Sequence, residues 1–395
     1  MATRLREARL REMRLAGCQL GVIIYPTTIL TERGFKVIFY NTAGAKIGEL
    51  GSDVKDAHVS EIGFEFSDFG CGAFTLKLDG RPAFDIGYRT RAFIHPYFDP
   101  VAWFAGFVQR VPGASSRPPF EYSGFGFFEQ LDWVRVTKAY TPQEISLIVK
   151  DIVSTIVAPN THVVYNAAKV ETTGYTTSAN IEFDHTPAKD AIQTLADVAQ
   201  NFEFGVDDAR EFYFREISTT VMRSFWTGKH LQDDAVEVDP VPIRNKLYVK
   251  AGQIQGGGTN YVGVVSDADS IAAYGLREDE VTAPDILGVD DSLQWADYIL
   301  DQKKLPAVQA KIVNLFLDDD KTKIEAKGKA RLTTANGTEY TLFIKRVGYK
   351  ISAAGISADL ELGQLAVPLE QQMVDLFRRI QEEQRLGDKR TKQLY

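Results

Sequence analysis

The sequence predicts a mainly β protein in which two antiparallel β regions of similar size flank a small α/β insert, and a helix closes the chain. Three observations carry this. Aromatic and β-branched residues alternate with polar ones in short runs from Gly34 to about Lys138, and again from Val238 onward. Between those stretches the apolar period changes to that of a helix, twice, each time after a Thr-Pro pair. Aromatics at 11% and 31 glycines fit a turn-rich β fold, while 395 residues exceed what one core organises, so several domains are expected.

Residues 1–33 open with "MATRLREARLREMRLAG", which reads as a short amphipathic helix with Leu5, Leu10 and Met13 or Leu15 toward a partner surface. Glu7 and Glu12, and the lack of an apolar stretch, argue against a secretory or organelle leader. Residues 34–138 form the first β domain: "GFKVIFYN", "HVSEIGFEF", "CGAFTLKLDG", "FDIGYRTRAFIHPYF", "WFAGFVQRVPG" and "FEYSGFGFFEQLDWVRVTKAY" alternate as strands of a barrel or sandwich, punctuated by Gly and Pro. Residues 139–218 form the insert. Thr141 can cap a helix with Pro142 and Glu144 in its first turn, and Ile145, Ile148, Val149, Ile152 and Val153 share one face. A second helix follows Thr186-Pro187 with Ala191, Ile192, Leu195, Val198 and Ala199 apolar, and "FEFGVDDAREFYFREI" reads as two strands about the turn Asp207-Asp208. Residues 219–367 form the second β domain, beginning with "IRNKLYVKAG" and "NYVGVVSD" and interrupted at about 267–305 by a polar segment whose helix is capped by Asp290 or Asp291. In residues 368–395, Leu369, Met373, Leu376 and Ile380 step by four, three and four, the spacing of a short coiled-coil or docking stripe.

Charge narrows the function classes. The net charge is −8, yet residues 1–15 and 378–392 each carry about +3, which leaves about −14 on the chain between them. An acidic body with basic ends is a poor sequence-specific nucleic-acid binder, although it suits a passage to which DNA must not adhere. No apolar window of about 18 residues is present, so a membrane-spanning helix is not expected. Cys18 and Cys71 stand far apart without metal-binding spacing, and reduced thiols fit them better than a disulfide.

The motifs that could carry chemistry have bland readings. Gly256, Gly257 and Gly258 follow a strand, but the next residues, "NYVGVV", read as another strand rather than the helix a phosphate loop needs, so the triplet is a hairpin tip. His58, His95, His162, His185 and His230 show no zinc spacing, and no nucleophile elbow occurs. "DDDKTK" from Asp318 lacks the glycine and glutamate of a calcium loop. Tyr122, Phe125, Phe127, Phe128 and Trp133 could form a sugar-stacking platform, although alternation sends several of them to the core. No cofactor or metal is expected. A pair of carboxylates for glycoside cleavage is a three-dimensional arrangement that sequence does not display.

This order of modules resembles the tail hub proteins of tailed bacteriophages and contractile injection systems. The likeness is carried by "WFAGFVQRV", "YTPQEISLIVKDIV", "FDHTPAKDAIQTLADVAQNFEFGVD", "PIRNKLYVKAG" and "DSIAAYGLRE", spread over about residues 30–367. The resemblance implies two tail-tube-like β-barrels per subunit, and a homotrimer that presents a pseudo-six-fold ring to a hexameric tube. It further implies a non-enzymatic virion component at the tail tip, made in the host cytoplasm. Its partners would be a distal tail or tail-tube ring, fibre or tip proteins, and the tape measure protein. The hairpin-tip glycines Gly256, Gly257 and Gly258 and, by their apolar spacing rather than by the resemblance, Leu369, Met373, Leu376 and Ile380 are the expected assembly contacts. The basic N-terminal and charged C-terminal segments have no counterpart in that pattern. The rival readings are a β-rich carbohydrate-active enzyme and a carbohydrate-binding adhesin module.

Overall fold

The computed structural model of the chain describes residues 35–51, 59–96, 101–113, 115–228, 230, 236–239, 243–252, 259–316, 323–352 and 355–363. The first β region folds as β1 (Phe35–Tyr40), β2 (Lys46–Leu50), β3 (Val59–Ser67), β4 (Gly70–Leu78), β5 (Arg91–Pro96), β6 (Phe104–Arg110) and β7 (Phe120–Gly126), followed by a 3-10 helix at Phe127–Trp133. The insert supplies β8 (Arg135–Tyr140), α1 (Ile145–Ile152), β9 (Ile181–Pro187), α2 (Ala188–Ala199), β10 (Phe202–Val206) and β11 (Phe212–Glu216). The remainder supplies β12 (Val221–Trp226), β13 (Val236–Asp239), β14 (Lys246–Gly252), β15 (Thr259–Ser266), α3 (Ala268–Tyr274), β16 (Glu278–Ala283), α4 (Val289–Lys303), β17 (Ala307–Phe316), β18 (Lys329–Thr333), β19 (Glu339–Ser352) and β20 (Gly355–Gly363). The protein is thus mainly β with an α/β insert.

Local chemistry accounts for these elements. In β4 the buried positions are Cys71, Phe74, Leu76 and Leu78, close to the two-residue period of a strand with one face on a core. The β1–β2 turn closes because the Asn41 side chain accepts from the Ala45 N–H at 2.9 Å. In α1 and the π-helical turn that continues it, Ile145, Ile148, Val149, Ile152 and Val153 are all fully buried, as their spacing predicts. The helix starts later than Thr141, however. Gln143 and Thr177 exchange hydrogen bonds, Glu144 bridges Thr176, and the Ile145 N–H donates to the Tyr175 carbonyl, so residues 143–144 are spent on strand-like pairing. Asp290 and Asp291 likewise fall inside the first turn of α4, whose cap is Gly288.

Fifteen strands make one mixed sheet, in the order β13, β17, β20, β19, β3, β4, β7, β6, β5, β1, β2, with β10 and β11 attached at β4 and with β12 and β18 attached at β19. Both β regions contribute to a single core, in which Phe39, Phe64, Phe74 and Phe104 belong to the same cluster as Leu332, Ile344 and Leu360. The insert builds a second core on the opposite face of β6, where Phe107, Phe127 and Leu131 meet α1, α2, β10 and β11. One expectation fails here. β14 and β15 do pair as a hairpin, but with β16 they form a separate three-stranded sheet rather than opening the second β region. The cause is α4, which covers Leu247, Val249 and Val265 with Ala296 and Leu300 and so gives that hairpin a core of its own.

The two β regions are joined by β3 and β19, which pair antiparallel from Arg346 opposite Ser67 to Ser352 opposite Glu61. On the core side Tyr349 stacks on Phe64 with ring centroids 5.0 Å apart, and Trp103 meets the same tyrosine at 5.6 Å. The Tyr349 hydroxyl accepts from the Ile324 N–H at 2.6 Å and fixes the segment before β18. On the outer side Arg346 holds Glu65 and Glu361, and Glu61 sits between Lys77 at 2.8 Å and Lys350 at 3.0 Å.

Two outcomes follow from this seam. Phe64→Ala should lower the unfolding free energy by about 3–5 kcal/mol, read by urea denaturation, with signals from both β regions lost in one transition. The hydrogen bond from Lys77 holds the Glu61 carboxyl below its ordinary 4.5. A carboxylate with a depressed folded pKa contributes stability above its unfolded value and loses it as pH falls through the folded one. The stability gap between the native chain and Glu61→Gln should therefore be constant above pH 4.5 and close on further acidification.

Candidate functional site

The residues singled out as assembly contacts by sequence, Gly256, Gly257 and Gly258 together with Leu369, Met373, Leu376 and Ile380, lie outside the described residues. The hairpin that carries the glycines is described up to Gly252 and from Thr259, which face each other. β15 is an outer strand of its sheet, and Tyr261 on it is 60% exposed. An outer strand offers unpaired backbone groups to a neighbour.

The aromatic platform resolves into two populations. Tyr122, Phe127 and Phe128 are core residues, whereas Phe125 and Trp133 are about two-fifths exposed. Trp133 packs edge-on against buried Phe107 at 5.2 Å and carries the Arg89 guanidinium over its ring at 5.1 Å. Arg89 also reaches the Tyr88 ring at 5.7 Å, and Tyr88 is 61% exposed. Tyr88 escaped the sequence reading because its segment alternates like a strand, whereas β5 begins only at Arg91 and Tyr88 lies in the irregular stretch before it.

The titratable groups around the 3-10 helix serve packing. Burial raises the carboxyls of Glu129 and Asp132, and Lys189 at 3.6 Å from Asp132 ties the 3-10 helix to α2. The Lys189 ammonium lies over the Phe128 ring at 5.2 Å. Cys71 is a buried thiol, pushed up to about 12 by burial, while Cys18 lies outside the described residues. Among the described residues no three His, Cys, Asp or Glu converge as metal ligands, and no helix is long and apolar enough to cross a membrane.

A fully buried carboxylate fastens the insert to the three-stranded sheet. Asp291 in the first turn of α4 accepts from the Tyr175 hydroxyl at 2.7 Å, the Ser178 N–H at 2.9 Å and the Ala179 N–H at 3.3 Å. Burial and this carboxylate hold the Tyr175 phenol above its ordinary range. A second exposed apolar edge is β12, which among the described residues pairs only with β18; Phe225 points into the core while Met222 is 53% and Trp226 44% exposed.

The architecture is the fold of phage tail proteins. The prophage MuSo2 43 kDa tail protein from Shewanella oneidensis superposes with a TM-score of 0.61 at 12% identity, over 84% of this chain and 98% of that one. The prophage tail protein gp18 from Listeria monocytogenes EGD-e gives 0.56 at 12% identity, over 88% and 99%. The tail protein from Neisseria meningitidis MC58 gives 0.59 at 11% identity, over 84% and 97%. No protein-family model matches the chain, and no curated protein matches it in sequence.

Replacing Asp291 by Ala strands several buried donors. It should cost on the order of 3 kcal/mol, measured by chemical denaturation, and hydrogen exchange should rise first in residues 175–179 and the start of α4.

Proposed function

We propose that this chain is a structural component of a bacteriophage tail and acts as its hub, a trimeric symmetry adapter and gate at the distal end. The observation that supports this most is the extent of the shared fold, since three tail proteins with almost no common sequence are matched over nearly their whole lengths. Identity near 12% leaves the packing pattern as what these chains have in common, and a part that transmits load through a ring is specified by packing rather than by a few reactive groups. On this reading the partners are two further copies of the chain, the tube or distal tail ring, fibre or tip proteins and the tape measure protein. The role is non-enzymatic and the location is the tail tip, after assembly in the host cytoplasm.

Charge agrees with such a role. An acidic excess facing a central passage would repel the DNA phosphates and keep them from adhering. The rival sugar-binding reading is weakened by the burial of Tyr122, Phe127 and Phe128, which removes most of its stacking surface. The stripe Leu369, Met373, Leu376 and Ile380 is proposed as an assembly element, because each large apolar side chain left in water costs about 1.5–3 kcal/mol.

Gold-labelled antibody against the chain should decorate one end of the tails of purified particles, and averaged images of that end should show three copies in a ring. Deleting residues 369–395 should reduce incorporation into tails while leaving the circular dichroism of the β fold intact. Absence of the chain from purified particles would overturn the proposal. So would polysaccharide hydrolysis by the purified chain that a single carboxylate change abolishes.

A further inference from the structure

One cluster of like charges is left without counter-charge. The Arg91 Nη2 donates to the Thr42 carbonyl at 2.5 Å and lies 3.2 Å from His162 Nδ1. The Arg210 Nη1 donates to the His162 carbonyl at 3.5 Å, and its guanidinium lies over the Phe127 ring at 5.8 Å. His162 is itself fixed, since its N–H donates to the buried Gln130 side chain at 2.7 Å. Two guanidinium groups therefore meet at one histidine, Arg91 at its ring and Arg210 at its backbone carbonyl, and the charge of Arg89 acts on the same imidazole. Among the described residues none of Arg89, Arg91 and Arg210 forms an ion pair, whereas Lys169, Arg215, Lys323 and Arg346 each hold a carboxylate. The Arg91 Nε is buried and has no hydrogen-bond partner. Burial first, and then Arg91, Arg210 and Arg89, push the His162 pKa down, so the imidazole stays neutral and its Nδ1 can accept from Arg91.

The rim of this cluster is aromatic and rigid. Arg89 holds a left-handed backbone at φ 64, and its N–H donates to the Val108 carbonyl at 2.8 Å. It lies over both Tyr88 and Trp133, the exposed rings described above. Arg, Tyr and Trp on a preorganised surface are the side chains that dominate protein interfaces.

We propose that Arg89, Arg91, Arg210 and His162 form a docking site for a protein carboxylate, and that a second copy of this chain supplies it against the Tyr88–Trp133 rim. The chain has 53 acidic against 45 basic residues. Exposed Glu182 and Asp290 take part in no ion pair among the described residues, so a second copy offers the complementary charge. A free anion would leave the aromatic rim uncovered, and a nucleic acid would be repelled by the rest of an acidic surface. The inference rests on the hub reading only in that the contact lies between ring neighbours.

Sedimentation velocity of the full chain over a concentration series, at low and high salt, tests this with Arg210→Gln, Tyr88→Ser and, as an exposed arginine outside the cluster, Arg117→Glu. The native chain should self-associate, less so at high salt. Arg210→Gln and Tyr88→Ser should each raise the dissociation constant by at least about tenfold, and Arg117→Glu should not. Because Arg210→Gln relieves repulsion among like charges, the melting temperature of its monomer should be unchanged or higher, whereas a purely structural role would lower it. A native chain that stays monomeric at every concentration would overturn the inference, while tail localisation by antibody would still stand. Association undiminished in both cluster variants, a fall in both stability and association, or phosphate or duplex DNA binding lost in Arg210→Gln without any self-association would overturn it equally.

Discussion

Everything else in this molecule is arranged around the pairing of β3 with β19. These strands lie almost 300 positions apart along the chain, and bringing them together closes a long loop whose entropic cost grows only slowly with length. A ladder of backbone hydrogen bonds, the stacked Phe64 and Tyr349 rings beneath it and the Glu61, Glu65, Lys350 and Arg346 charges above it offset that cost. Because β19 is long enough to pair with β18 along its first half and with β3 along its second, with β20 on its other side, the two β regions share one sheet and one core. A load applied to either region is carried into the other through backbone hydrogen bonds rather than through a flexible linker.

The insert is attached with equal economy. β10 runs so close to the β3–β4 turn that a Cβ on Gly70 would lie 2.1 Å from the Val206 carbonyl oxygen, and one on Gly205 would lie 2.3 Å from that of Phe69. Gly70 also has φ +94, so it is needed both for the turn and for the contact. This approach lets Phe69 stack on Phe128 with centroids 4.5 Å apart and brings the second core against the outer face of the first sheet. The three-stranded sheet is tied on differently, through the buried Asp291, which replaces water with fixed donors from residues 175–179.

The electrostatics divide in the same way as the packing. Along the seam nearly every cation faces a carboxylate, as expected where charge only has to be neutralised within the chain. At His162 Arg91 and Arg210 meet without one, and the backbone of Arg89, whose charge acts on the same imidazole, is held in a conformation that few side chains adopt unaided. Arrangements of that kind persist where surrounding structure over-determines them, and they concentrate at places of contact.

Much of the fold was legible in residues alone. The alternation in β3 and β4, the apolar face of α1 and the Asp207 turn between β10 and β11 are local properties, set by side-chain periods and turn chemistry, and the structure has them where the sequence places them. The start of α1 was not legible, because residues 143–144 are claimed by Thr176 and Thr177, a partner more than 30 positions away. Nor was the destination of the β14–β15 hairpin, whose alternating pattern suits either sheet until α4 covers one face. The arginine cluster draws Arg89 with Arg91, His162 and Arg210 from three separate places in the chain, none of them in a motif. Sequence by itself determined elements such as β3, β4, α1 and α2, whose apolar periods depend on neighbours a few residues apart, but not the 3-10 helix at Phe127–Trp133 inside a run that alternates like a strand. Only the tertiary structure decided which strands share a sheet, which aromatic residues reach the surface and which charges go unpaired, because each of those depends on contacts between residues that the chain keeps far apart.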